Sequence, residues 1–171
     1  VSSTRPAPVN AAGIATINAI APGRTFFGVG AGNTAMRVMG QPPQRIKDFD
    51  RYLAEVAPLL QGQEAMNGVT ESHSGVPIRH IMSDKGFVNF DDKIPMYVSG
   101  FGPRSLGLAG KYGEGAVVAF AASGGIMESM WHMVEEGARE INRVINRDEF
   151  YTTALTTMVV LNPGEAVDSA R

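Results

Sequence analysis

Four short apolar runs, separated by segments of helical period, constrain this chain's fold more than any other feature. The runs are Arg24 to Gly30 (RTFFGVG), Ile94 to Ser99 (IPMYVS), Gly115 to Ala121 (GAVVAFA) and Tyr151 to Leu161 (YTTALTTMVVL). Largely unbroken apolar stretches of this length mark strands covered on both faces, as in a parallel sheet. Pro8 to Ile20 repeats Val9, Ala12, Ala15 or Thr16, and Ile20 at helical spacing, with Pro22-Gly23 after it. Gln44 to Leu60 sets Ile46, Phe49, Leu53, Val56 and Leu60 on one stripe and is closed by Gly62. Ser105 to Tyr112 makes a short helix. Gly124 to Asn146 makes a long one, with Ile126, Met130, Val134, Ala138, Ile141 and Ile145 on one face. Strands joined through helices run parallel with right-handed crossovers. A barrel and an open doubly wound sheet both satisfy this order, and periodicity does not choose between them.

Composition narrows the function classes. A formal net charge of -2 provides no basic field for a phosphate backbone, which argues against a nucleic-acid partner. No apolar run reaches the roughly 18 residues of a membrane-spanning helix. Without cysteine there is no disulfide and no thiolate metal site, and the cytoplasm is the simplest compartment. His73, His80 and His132 lack metal-ligand spacing, so no metal is expected. The 171 residues suffice for one domain, 1–171, and no second domain is expected. The chain starts at Val1 without an initiator Met, as expected of a piece of a longer protein.

The glycines gather where the strands end. Gly28-Val29-Gly30-Ala31-Gly32-Asn33 follows the first run, and Gly100-Phe101-Gly102-Pro103-Arg104-Ser105 follows the second. In parallel α/β folds that is the end where ligands bind, and glycine lets backbone N–H groups face an anion. A tight turn with no ligand is the plain alternative. Pro103 suits a first helical position, where the helix N-terminus favours an anion. The spacing G-x-G-x-G fails the dinucleotide pattern G-x-G-x-x-G, and Asp48 and Asp50 fall inside a helix rather than at the next strand end. No Gly-Lys-Ser/Thr of the Walker type is present.

Taken together, Ala21-Pro22-Gly23-Arg24 with FFGVGAGNTAMRVMG, and the block IPMYVSGFGPRSLGLAGKYGEGAVVAF, resemble the bacterial luciferase-like monooxygenase superfamily, which includes deazaflavin-dependent reductases. Arg5 through Ile20 resembles the helix that precedes the first block. The resemblance runs from Arg5 to about Pro163 and is weakest over Gln63 to Asp92. It implies an α/β fold, a (β/α)8 TIM barrel of which this chain covers about half. Val1 would fall near the end of the third strand and Arg171 after the seventh.

The implied function is that of a flavin- or deazaflavin-dependent oxidoreductase, acting as a monooxygenase or a hydride-transfer reductase on a small-molecule substrate. The cofactor, FMN or a deazaflavin coenzyme, would lie at the C-terminal mouth. Gly30, Ala31, Gly32 and Asn33 would line it, and Gly100, Phe101, Gly102 and Pro103 would meet its phosphate or ribityl chain. Some relatives carry a basic residue where this chain has Ala31. A non-catalytic flavin-binding relative or subunit is the alternative, and a nicotinamide-binding open sheet is a weaker one. No catalytic acid or base stands out. Half a barrel leaves two unpaired sheet edges, so a homo-oligomer, or completion by the rest of the barrel, is expected.

The remaining features read as follows. Gln63 to Asp92 is a polar excursion without period that carries Arg79, His73 and His80, and it is expected either to set substrate choice or to cover the barrel. His132 beside Trp131 reads as outer-helix packing. Met36, Met39, Met127, Met130 and Met133 read as core filling. Glu135-Glu136, Arg139-Glu140 and Arg143 read as a solvated helix face with four-residue pairs.

Overall fold

The computed structural model describes residues 1–70, 72–119, 124–156, 160–166 and 168. In chain order the elements are α1 (Ala7–Ile20), β1 (Phe27–Val29), α2 (Asn33–Val38), α3 (Ile46–Leu59), β2 (Ala65–Asn67), β3 (Val76–Ile78), a 3-10 turn (Ser83–Lys85), β4 (Met96–Ser99), α4 (Pro103–Tyr112), β5 (Gly115–Val118), α5 (Gly124–Arg139) and β6 (Tyr151–Ala154). Strands β1, β4, β5 and β6 form one parallel sheet in that spatial order, and β2 pairs antiparallel with β3. All four expected strands are present, each shorter than its apolar run. The ends of two runs, at residues 120–121 and 157–159, lie outside the described residues.

The core lies between the sheet and α3, α4 and α5. Val29, Met96, Val98, Ala116 and Val118 are buried with Phe49, Leu53, Val56 and Leu59 of α3, Leu106 and Ala109 of α4, and Met130 and Val134 of α5. The expected stripes of α3 and, in α5, of Met130, Val134 and Ala138 are therefore the buried faces, whereas Ile126 is exposed. Helix α5 is shorter than its apolar period implies. Asn142 takes a left-handed φ of 58°, and the Arg143 amide donates to the Ala138 carbonyl, which closes the helix near Arg139.

Three expectations need correction. The buried face of α1 is Ala7, Ala11, Ala15 and Asn18, whereas Val9 and Ile20 are 54% and 81% exposed. Small side chains let α1 lie close to α3, where Asn10 Nδ2 donates to Tyr52 Oη at 2.6 Å, and the larger apolar groups project outward. Met39 is likewise half exposed rather than core. The stretch after Gly32 contains α2, which starts from a left-handed Gly32 at φ 75°.

The third correction concerns residues 63–92. They contain the β2–β3 hairpin, and they connect the C-terminus of α3 to the N-terminus of β4. The excursion is therefore an α-to-β connection at the N-terminal end of the sheet, opposite the glycine loops. Its far end is fastened there: the Asn89 amide donates to the Ala15 carbonyl, and Asn18 Nδ2 donates to the carbonyls of Asn89 (3.0 Å) and Asp92 (2.8 Å). In barrels, the C-terminal face carries the chemistry and the N-terminal face carries stability. The expectation that this excursion sets substrate choice fails on position.

Candidate functional site

The sheet has two unlike faces. In register, Gly28, Tyr97, Gly115 and Tyr151 form one row on the face turned away from the helices, and Ser99, Val117 and Thr153 form the next row toward the C-terminal end. Gly30 continues that second row, and a Cβ there would lie 3.1 Å from the Ser99 Cβ. The lower row is filled by aromatics: Phe26 stacks on Tyr97 at 5.1 Å between centroids, and Tyr97 on Tyr151 at 5.0 Å. Burial, and after it the neighbouring Tyr151 and Glu114, push the Tyr97 phenol above its ordinary range. The upper row is small and carries two hydroxyls. Such layers, with bulky side chains from alternate strands, are how barrel interiors are packed.

Both glycine loops leave the same end of this sheet. Ser2 anchors the first: its amide and its hydroxyl both donate to the Gly30 carbonyl, at 3.3 and 3.2 Å, and its Oγ also meets Gln44 Oε1. Gly32 is covered by the Val1 side chain, so the loop opens at Gly30 and Ala31, which are half-buried. Asn33 is exposed at the start of α2. The second loop is organised by Ser105. Its Oγ accepts from the Phe101 and Gly102 amides, each at 3.2 Å, and donates to the Gly102 carbonyl at 3.0 Å. Gly100 is buried under the Ser105–Leu106 peptide, Phe101 is 55% exposed, and space is open around the position a Cβ of Gly102 would take. Pro103 is the first residue of α4, as expected. Arg104 and Ser105 lie in the first turn of α4, where backbone amides precede the intrahelical ladder and a helix N-terminus favours an anion.

The structure therefore brings Gly30, Ala31, Gly100 and Gly102 to one mouth, and sets Gly32 and Asn33 to its side. Ser2, Ser99 and Ser105 were not singled out as site residues from sequence. Their signal, serine flanking glycine at a strand end, is weak without the register.

The other polar features lie elsewhere. His73 Nδ1 accepts from the Gly75 amide within its own turn, and His80 contacts the Leu59 carbonyl at 3.2 Å with its ring against Phe90. His132 is exposed on α5, while Trp131 packs edge-on against Phe150. The charges of α5 pair beyond their own helix: Arg147 binds Glu128 and Glu135, and Arg143 donates to the Gly110 carbonyl. Glu114 takes both edges of Met96: its carboxylate accepts from the Met96 amide at 2.8 Å, and its own amide donates to the Met96 carbonyl. Among the described residues no cluster of metal-ligating side chains occurs, and no helix is long and apolar enough to cross a membrane. A cavity of about 420 Å³ between α3, α4 and α5 lies on the helical face, with Pro103 and Arg104 of the second loop's helix start among its lining.

With this geometry in place, comparison with known proteins identifies the class. Residues 2–171 match the Luciferase-like monooxygenase family, and the chain belongs to it. It is similar to a solved F420-dependent secondary alcohol dehydrogenase in complex with an F420-acetone adduct. The TM-score is 0.62 and the identity 25%, over 86% of this chain and 44% of that one. It is similar too to the coenzyme F420 dependent tetrahydromethanopterin reductase from Methanopyrus kandleri. There the TM-score is 0.62 and the identity 25%, over 90% of this chain and 46% of that one. No curated protein matches. The chain thus spans less than half the length of these structures, and its parallel sheet is part of a (β/α)8 barrel.

Proposed function

We propose that the whole protein is an oxidoreductase that binds FMN or a deazaflavin at the C-terminal mouth of a barrel domain to which residues 1–171 belong. The observation that carries this reading is the convergence of the two glycine loops above an inner row of small residues, Gly30, Ser99, Val117 and Thr153. The side-chain-poor shelf leaves room for a flat ring, and the aromatic row beneath it closes the barrel floor. Gly30 and Ala31 would line the ring, with Gly32 and Asn33 beside them. Gly100, Phe101, Gly102 and Pro103 would meet the phosphate or ribityl chain, with the first-turn amides of α4 as donors. When bound, the cofactor supplies hydride transfer or oxygen activation. This chain's residues position it, hold its anionic end and floor the site.

The two solved neighbours, both named as F420-dependent, favour a deazaflavin and hydride transfer to or from a small molecule. We place the protein in the cytoplasm, in keeping with its lack of cysteine. We also assign it a homo-oligomeric state. Helix α1 carries no charged residue from Ala7 to Ile20, and its outward face exposes Val9, Ile17 and Ile20. Fluorescence titration of the full-length protein with FMN and with a deazaflavin tests the binding, and turnover of the reduced cofactor separates an enzyme from a binding subunit. Sedimentation at several concentrations tests the assembly.

A further inference from the structure

The Asn67-Gly68 pair at the end of β2 has no part in the mouth, and its chemistry is distinctive. Gly68 is exposed at φ 73°, nothing lies within 4 Å of the position a Cβ would take, and its backbone N–H donates to no described residue. The neighbouring Asn67 side chain is half-buried and donates from Nδ2 to Glu55 Oε1 at 2.6 Å. Glu55 itself is 9% exposed on α3. An unencumbered amide nitrogen next to an asparagine carboxamide is the arrangement that permits intramolecular attack, and glycine places no side chain in its way.

We propose that Asn67 is a site of spontaneous deamidation that releases the β2–β3 hairpin from α3. The deprotonated Gly68 nitrogen attacks Asn67 Cγ, a C–N bond forms, and the side-chain nitrogen leaves as ammonia after taking up a proton. Water then opens the resulting succinimide at either carbonyl, giving aspartate or isoaspartate. No oxidant or cofactor takes part. The product places a second carboxylate where Glu55 had an N–H donor. Ionised together, the two carboxylates repel where an N–H donor had joined them, so at the mildly alkaline pH of the reaction the contact opens. An isoaspartate also lengthens the backbone by one carbon within a three-residue strand, which disrupts its register with Val76 to Ile78.

The test incubates the purified protein at mildly alkaline pH and follows the peptide containing residue 67 by mass spectrometry, with enzymatic methylation to reveal isoaspartate. The expected result is a time-dependent exchange of NH2 for OH at Asn67, lost in Asn67→Gln and slowed in Gly68→Ala. Limited proteolysis should then cut within residues 63–80 of the aged protein and of Asn67→Asp, but not of Asn67→Gln. If the native protein keeps Asn67 intact while a peptide of the same sequence reacts, the fold protects the site and the proposal fails. If Asn67→Asp resists protease as the wild type does, release of the hairpin is overturned.

Discussion

The rings of Tyr97 and Tyr151 lie stacked, 5.0 Å apart between centroids and 22° from parallel, across the bare backbone of Gly115. The two tyrosines sit on alternate strands, β4 and β6, and the strand between them contributes no side chain to that layer. A Cβ on Gly115 would lie 2.8 Å from Tyr97 Cδ1 and 2.3 Å from the Tyr151 carbonyl oxygen. Gly115→Ala therefore forces both the stack and the β5–β6 ladder apart. The expected loss is about 1–3 kcal/mol, as for other overpacked interiors. Urea denaturation followed by tyrosine fluorescence measures it, and an unchanged midpoint would show that the layer is not tightly packed.

Asn18 is fully buried and holds the end of the excursion to α1 through Asn89, Asp92 and Thr25. Asn18→Leu keeps the approximate shape but leaves two carbonyls without their donor. Each such loss costs about 1–3 kcal/mol. The variant should also exchange the Asn89 amide hydrogen faster, since that amide donates to Ala15 at 3.0 Å. Hydrogen exchange by mass spectrometry separates this local opening from global unfolding.

Position decides what the hairpin does. The β2–β3 hairpin packs along α3 and its connection joins the sheet at the N-terminal end, so replacing residues 65–78 with a short glycine-serine linker should leave cofactor affinity and substrate turnover unchanged in the full-length protein. Melting temperature should fall, because Ala65 is buried against α3. Altered substrate preference with unchanged stability would return the excursion to the mouth.

Arg147 joins Glu135 at 2.6 Å and Glu128 at 2.9 Å, and lies 5.2 Å from the Trp131 ring centroid. The guanidinium hydrogen bond holds the Glu135 carboxyl below its usual range, against a smaller opposing effect of burial. A depressed carboxyl stabilises the fold fully above its unfolded pKa, about 4.3, and the contribution is lost as pH falls through the lower folded value. Arg147→Ala should lower stability modestly at neutral pH, since both side chains remain partly exposed, and the two proteins should converge as pH falls through that acid range. Melting temperatures of both proteins across the acid limb show whether the slopes differ.

The alternation of strands and helices was legible because each apolar run is nearly continuous and each helix from α3 onward has an amphipathic stripe. Helix α1 misled because alanines, rather than Val9 and Ile20, form its contact face. The hairpin was hidden because three-residue strands such as Ala-Met-Asn show no period, although Asn67-Gly68 is itself a turn signal. Its location could have been read from chain order alone: a segment after a helix and before a parallel strand lies at the N-terminal edge. At the mouth, Gly30 and Gly100 were visible as glycine at strand ends. Ser2 and Ser99 were not, because only the folded chain sets them beside Gly30, Ser2 by its hydrogen bonds and Ser99 by the register.

The central claim is that the glycine loops hold a flavin-type cofactor, and Gly102→Val tests it most directly. Gly102 has an extended backbone that valine can adopt and open space where a Cβ would stand, so the fold should survive the change. Gly32, at φ 75° beneath Val1, offers no such clean probe. Titrating full-length wild type and Gly102→Val with FMN and a deazaflavin should give saturable binding of one cofactor. That binding should be weaker by at least about tenfold, or 1.4 kcal/mol, in a variant whose melting temperature is unchanged. Equal affinity in the two folded proteins, or no binding of either cofactor by the wild type, would contradict the assignment.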